Sequence, residues 1–232
     1  MLQRALQIVS GLLIGLAFVA AIVWLTPLPG GPVEWEGGAP PPSPYPAPPL
    51  ELSDLEGNVV NLASFRGKTT VVFFGYSNCP DVCPATLLNL TRALDELGPR
   101  RADRVQVVFV TLDPERDTPE RLRSWMSNFH PSIVTLTGAQ ASVWEQAAAW
   151  GVYASIAPTR DADEGGQAHD HGAPGALPEG LAELIPQGAP GAYAVEHSTR
   201  SFVLDRSGQI VLLLAPFQPG DAMARDLRRV IR

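Results

Sequence analysis

Apolar residues are distributed along this chain in three distinct ways, and each predicts a different structure. The first is an unbroken run, "LQIVSGLLIGLAFVAAIVWL" (6–25), inside a stretch without charge from Ala5 to Val33. About 20 residues at 1.5 Å each span roughly 30 Å, the thickness of bilayer hydrocarbon. The run continues through Ile22, Val23 and Trp24 past Ala20 and Ala21, which favours an uncleaved anchor over a signal peptide. Arg4 precedes it while Glu34 and Glu36 follow, so the positive-inside rule puts the N-terminus in the cytoplasm and the remainder outside.

The second kind alternates short β-branched runs with helical periodicity. "TTVVFFGY" (69–76) and "RVQVVFVTLD" (104–113) are continuous enough to be buried central strands, and "SIVTLTG" is a third. "PATLLNLTRALDELG" (84–98) places Leu87, Leu88, Leu90, Leu94 and Leu97 at helical spacing and closes on Gly98. "DTPERLRSWMSNF" opens a helix with Asp117 or Thr118 as cap and Pro119 in its first turn, and "AQASVWEQAAAWG" forms another. "LELSDLEGNVVNLASFRGK" reads as a hairpin about Glu56-Gly57-Asn58. "TRSFVLDRSGQIVLLLA" turns at Ser207-Gly208, and "PGDAMARDLRRVI" closes the chain as a helix. Strands alternating with helices, then a hairpin and a last helix, predict an α/β fold of the thioredoxin-like kind: a mixed central sheet flanked by helices, with an N-terminal hairpin.

The third kind is apolar-poor. Ten prolines fall between residues 27 and 49, and such density predicts a polyproline-like spacer. Residues 160–190 are rich in Gly, Pro and acidic side chains and predict an exposed, flexible insertion. The expected organisation is therefore an anchor at 1–26, a linker at 27–49 and a globular domain at 50–232.

Charge and cysteine content narrow the function. A net charge of −7 and a pI near 5.1 exclude the basic footprint that nucleic-acid binding needs. Only two cysteines are present, Cys79 and Cys83, in "GYSNCPDVCPATL". Two are too few for a disulfide-built miniature, and a disulfide closing so short a loop constrains little of the unfolded chain. The thiols follow a buried strand and precede a helix, where the helix N-terminus favours thiolate. Spacing of i and i+4 would put both sulfurs on one face of a helical turn. So placed, they can chelate a soft ion such as Cu(I) or Zn(II), or close to a disulfide. A metal would want a third ligand. His197, in "AVEHSTRSF", lies just before a strand whose preceding loop meets the cysteine corner in thioredoxin-like folds.

"FFGYSNCPDVCP", "VTLDPERDTP" and "VEHSTRSFVLD" together resemble, in order and separation, the signatures of the Sco/SenC family over residues 50 to 232. The resemblance implies a thioredoxin-like protein that binds copper, as Cu(I) or Cu(II), through Cys79, Cys83 and His197. It implies assistance in assembling the dinuclear copper centre of cytochrome c oxidase, with the copper-bearing subunit and another copper carrier as partners. It also places Asp113 near the metal, to tune the site or touch a partner. The alternative is a thiol–disulfide oxidoreductase that reduces the oxidase cysteines through a Cys79–Cys83 disulfide. The stretch at 160–190 is longer than expected for the family. His169 and His171, flanking Asp170 within it, suggest an auxiliary metal site.

Overall fold

The computed structural model describes residues 34–158 and 193–231, together with a few N-terminal positions. Of the apolar segment, Leu13 to Phe18 and a few neighbours are described, and they are helical. No helix among the described residues is long and apolar enough to cross a membrane, and most of the expected anchor lies outside them. Met1–Glu34 and Trp35–Arg232 are separate units, and the fold described below is that of the second.

The two continuous apolar runs form the centre. Strand β5 (Thr69–Gly75) and strand β6 (Val105–Thr111) are buried at every position. They pair in parallel from Thr69 opposite Val105 to Gly75 opposite Thr111. β7 (Val134–Leu136) extends the parallel side. On the other side β10 (Ser201–Leu204) runs antiparallel to β5, and β11 (Gln209–Leu214) antiparallel to β10. Two short strands, β1 (Gly38–Ala39) and β2 (Tyr45–Pro46), complete the seven-stranded sheet along the free edge of β11.

Alternate side chains feed two cores. Val71, Val107 and Val203 face one helical layer, α1 (Val82–Leu97) and α4 (Gly220–Val230), with Leu90, Leu94, Met223 and Leu227 packed between. Val72, Val108 and Leu204 belong to the other core, with Leu122 of α2 (Pro119–Met126) and Val143 and Ala147 of α3 (Gln140–Ala149). Leu50 and Leu52, from the hairpin of β3 (Glu51–Ser53) and β4 (Val59–Asn61), complete it. Phe74, Trp150 and Phe202 form a ring cluster there, with centroids 5.3 to 6.3 Å apart. A mixed sheet between helices is the expected α/β arrangement.

Two expectations change. The proline-dense stretch is not a free spacer along its whole length. From Trp35 onward it is part of the domain, because proline is tolerated at a sheet edge where its missing N–H would face solvent. Buried Asp226 of α4 accepts the backbone N–H of Glu36 at 3.1 Å and that of Gly37 at 2.6 Å, fixing the segment. Gly38 is needed there, since a Cβ would lie 2.4 Å from the Leu213 carbonyl oxygen. The stretch after α3, irregular by its sequence, instead opens a second antiparallel ribbon of β8 (Ala154–Pro158) with β9 (Tyr193–His197).

Candidate metal and thiol site

β5 ends at Gly75, and Cys79 lies in the turn that follows, its N–H reaching the Tyr76 carbonyl at 3.4 Å. Pro80 restricts Cys79 to extended geometry. Asp81 then caps α1, its Oδ1 accepting the Val82 N–H at 2.5 Å. Cys83 therefore sits in the first turn of the helix and Cys79 outside it, which corrects the expectation of one shared helical face. Their convergence comes from the cap. A helix N-terminus has N–H groups without intrahelical partners, and that of Cys83 points at Cys79 Sγ, 3.4 Å away. Gly75 makes room, since a Cβ there would lie 2.8 Å from Cys83 Sγ.

His197 arrives from β9. Its Nε2 lies 3.4 Å from Cys83 Sγ, and its Nδ1 is 2.9 Å from the Ser198 carbonyl oxygen. A carbonyl only accepts, so Nδ1 is a donor there, and Nε2 is the ring nitrogen that faces the sulfurs. The Tyr76 ring meets the imidazole edge-on with centroids 5.7 Å apart. One ligand atom from each of Cys79, Cys83 and His197 lies within 4.8 Å of the other two. Two sulfurs and an imidazole nitrogen are a soft donor set suited to Cu(I) or Zn(II).

The thiols are free and electrostatically unequal. The hydrogen bond with Cys83 holds the Cys79 thiol well below its ordinary value, against burial, with help from His197 and the N–H groups of Asp81 and Cys83. Burial, then Cys79 itself, pushes Cys83 well above. Burial also raises the Tyr76 phenol. The arrangement favours one thiolate, on Cys79.

Asp113 is buried, but in a neighbouring cluster. It pairs with Arg116 Nε, and its Oδ1 accepts the Tyr193 hydroxyl at 2.7 Å. Asp117 is not the cap of α2; Thr118 is, accepting the Arg121 N–H at 3.3 Å. Asp117 is instead buried beneath the cysteine corner. It accepts the Ser77 N–H at 2.9 Å, the Thr111 hydroxyl at 2.5 Å and the Ser77 hydroxyl. Burial raises its carboxyl, opposed by those bonds. Arg121 adds Nε to Ser77 Oγ at 2.9 Å and Nη2 to Asn78 Oδ1 at 3.0 Å. His169 and His171 lie outside the described residues.

A mixed sheet between helices, with two thiols at the strand-to-helix corner and an imidazole brought to them, defines a thioredoxin-like protein bearing a Cys-Cys-His cluster. Residues 43–185 match the SCO1/SenC family model, more than half the chain, and the protein belongs to that family. It is 36% identical to "Protein SCO2, mitochondrial" of Saccharomyces cerevisiae over 70% of this chain and 45% of that one. The chain thus spans under half the length of that curated relative. Among solved structures, apo Sco1 from Thermus thermophilus is 33% identical with a TM-score of 0.64, over 86% of this chain and 99% of that one. Bradyrhizobium japonicum ScoI with copper bound is 31% identical with a TM-score of 0.59, over 80% and 99%.

Proposed function

We propose that this protein binds copper through Cys79, Cys83 and His197 and delivers it to the copper-bearing subunit of cytochrome c oxidase. The observation that carries the reading is the convergence of two sulfurs and an imidazole nitrogen within 4.8 Å. With reduced thiols the three residues would supply three ligands to Cu(I), and an added oxygen ligand would accommodate Cu(II). The cargo would leave by ligand exchange with the acceptor. Copper-bound relatives, such as the Bradyrhizobium protein, support the choice of ion. The N-terminal apolar segment would tether the domain to the membrane on its extracytoplasmic side, where copper and disulfide chemistry are both available.

A second reading is favoured by the inequality of the thiols. A thiolate-prone Cys79 beside a protonated Cys83 is the arrangement of an attacking and a resolving cysteine. On that reading the protein reduces the oxidase cysteines. A disulfide joins the sulfurs at about 2.05 Å and removes both as ligands, so the two activities exclude each other in time. Loading the reduced protein with Cu(II) separates them. The delivery reading expects a sulfur-to-copper charge-transfer band that weakens in His197→Ala; absence of the band overturns it.

A further inference from the structure

His197 belongs to a ribbon that is not a strand of the central sheet. Along β9 successive side chains alternate in direction, so Tyr193, Val195 and His197 share one face. Val195 is buried in the core, while Glu196 on the opposite face is exposed. Tyr193, at the other end of this face, is held on several sides. Its hydroxyl donates to buried Asp113 at 2.7 Å. Its ring lies 3.6 Å beneath the Arg116 guanidinium. Its carbonyl accepts Arg116 Nη1 at 2.6 Å. Arg116 in turn pairs with Asp113 and lies 5.9 Å over the Tyr76 ring, whose edge meets His197. The contacts make a closed circuit from Tyr193 through Arg116 and Tyr76 to His197, and back along the strand. The phenol, pushed up to about 12 by burial and by Asp113, remains a donor at neutral pH.

We infer that Tyr193, Arg116 and Asp113 form a clamp that positions His197 against the two thiols, through the register of β9 and the Tyr76 ring. None of the three supplies a ligand atom to the cluster. The loop from Asp113 to Arg116 thus serves the site by seating the ribbon. This inference rests on the copper-binding reading for its metal readout alone.

The test uses Tyr193→Phe, which removes one hydroxyl and keeps the ring. Cu(I) affinity is measured on the whole protein by competition with a chromophoric chelator. The variant should bind Cu(I) about tenfold more weakly, the scale expected when a group supporting a ligand is lost. Introduced into His197→Ala, the same change should cost less than twofold, because the residue it positions is absent. Arg116→Lys keeps the charge and should act in the same direction. In metal-free protein, Tyr193→Phe should move the His197 ring resonances and speed amide exchange at 195–198, leaving amide exchange at the cysteine corner unchanged. Unchanged affinity with unchanged His197 resonances overturns the clamp. Equal losses in the two backgrounds overturn it as well. If His197→Ala alone leaves copper affinity intact, the copper reading fails, and the metal-free resonances decide the clamp by themselves.

Discussion

The two arms that meet at the site are held in opposite ways. The cysteine corner continues directly from the buried strand β5 into α1, and a buried carboxylate fastens it from below. Among the described residues the histidine arm pairs only with its own partner strand, and it meets the body through one face of that strand and the Tyr193 carbonyl. Cys83 is wholly buried, whereas His197 is only partly buried. The corner is therefore built into the central sheet and its helix, whereas the ribbon is seated against them by contacts. On the proposed delivery role, exchange of a bound ion with an acceptor is expected to begin at the imidazole, the most exposed of the three ligands.

Three measurements test this contrast. The largest effect is expected from Asp117→Ala. It leaves the Ser77 N–H and two hydroxyls buried without their acceptor, at a cost of about 3 kcal/mol, since an orphaned buried donor costs roughly 1–3 kcal/mol. Urea denaturation measures it, and Asp117→Asn, which keeps an acceptor, should lose less. A loss as small as that of an exposed substitution would mean the corner is not braced as described.

Gly75→Ala should come next. The new Cβ would lie 2.8 Å from Cys83 Sγ and 3.1 Å from the Phe109 ring, so one of them must shift. Overpacking of this kind costs about 1–3 kcal/mol. The Cys83 resonances should move while amide exchange at 195–198 keeps its rate. A disturbance that spread to the ribbon would show the arms to be one unit.

The smallest effect is in the thiol titrations. Alkylation of the reduced protein should modify Cys79 first, with a midpoint below the ordinary 9.0, and Cys83 only above it. The sign follows from the neighbours: groups that donate to Cys79 favour its anion, so the reactive fraction survives to lower pH. His197→Ala should raise the Cys79 midpoint without restoring it fully, because Cys83 is the larger cause. Cys83 reacting first would reverse the assignment.

The corner was legible in the sequence because its determinants are local. A continuous apolar run, two cysteines and a helical leucine pattern lie within 69–98 and need no distant partner to be understood. His197 was legible through its place just before a strand and through the resemblance of its motif, but the ribbon that delivers it was not. The strands of that ribbon are short and separated by the stretch 159–192, so no turn signal joins them. Asp117 looked like a cap because Asp before Thr-Pro is a common helix start. Only the tertiary approach of Ser77 reveals its other use. Tyr193 left a faint signal, an aromatic two positions before Val195 and four before His197 in strand register. The proline segment misled because composition reports what a backbone cannot donate, not which edge will accept it.

One consequence of the ribbon concerns change over evolutionary or engineered time. Pro158 stands opposite Tyr193 at one end, and Ala154 opposite His197 at the other. Whatever joins residues 158 and 193 therefore enters and leaves through a doorway already latched. Closing a longer loop there adds only about 0.6 kcal/mol for each doubling of length. The register beyond the doorway is set by the paired strands, not by the length of what hangs from them. The paired ends at Pro158 and Tyr193 would thus let sequence between them be gained, lost or grafted while the imidazole keeps its address.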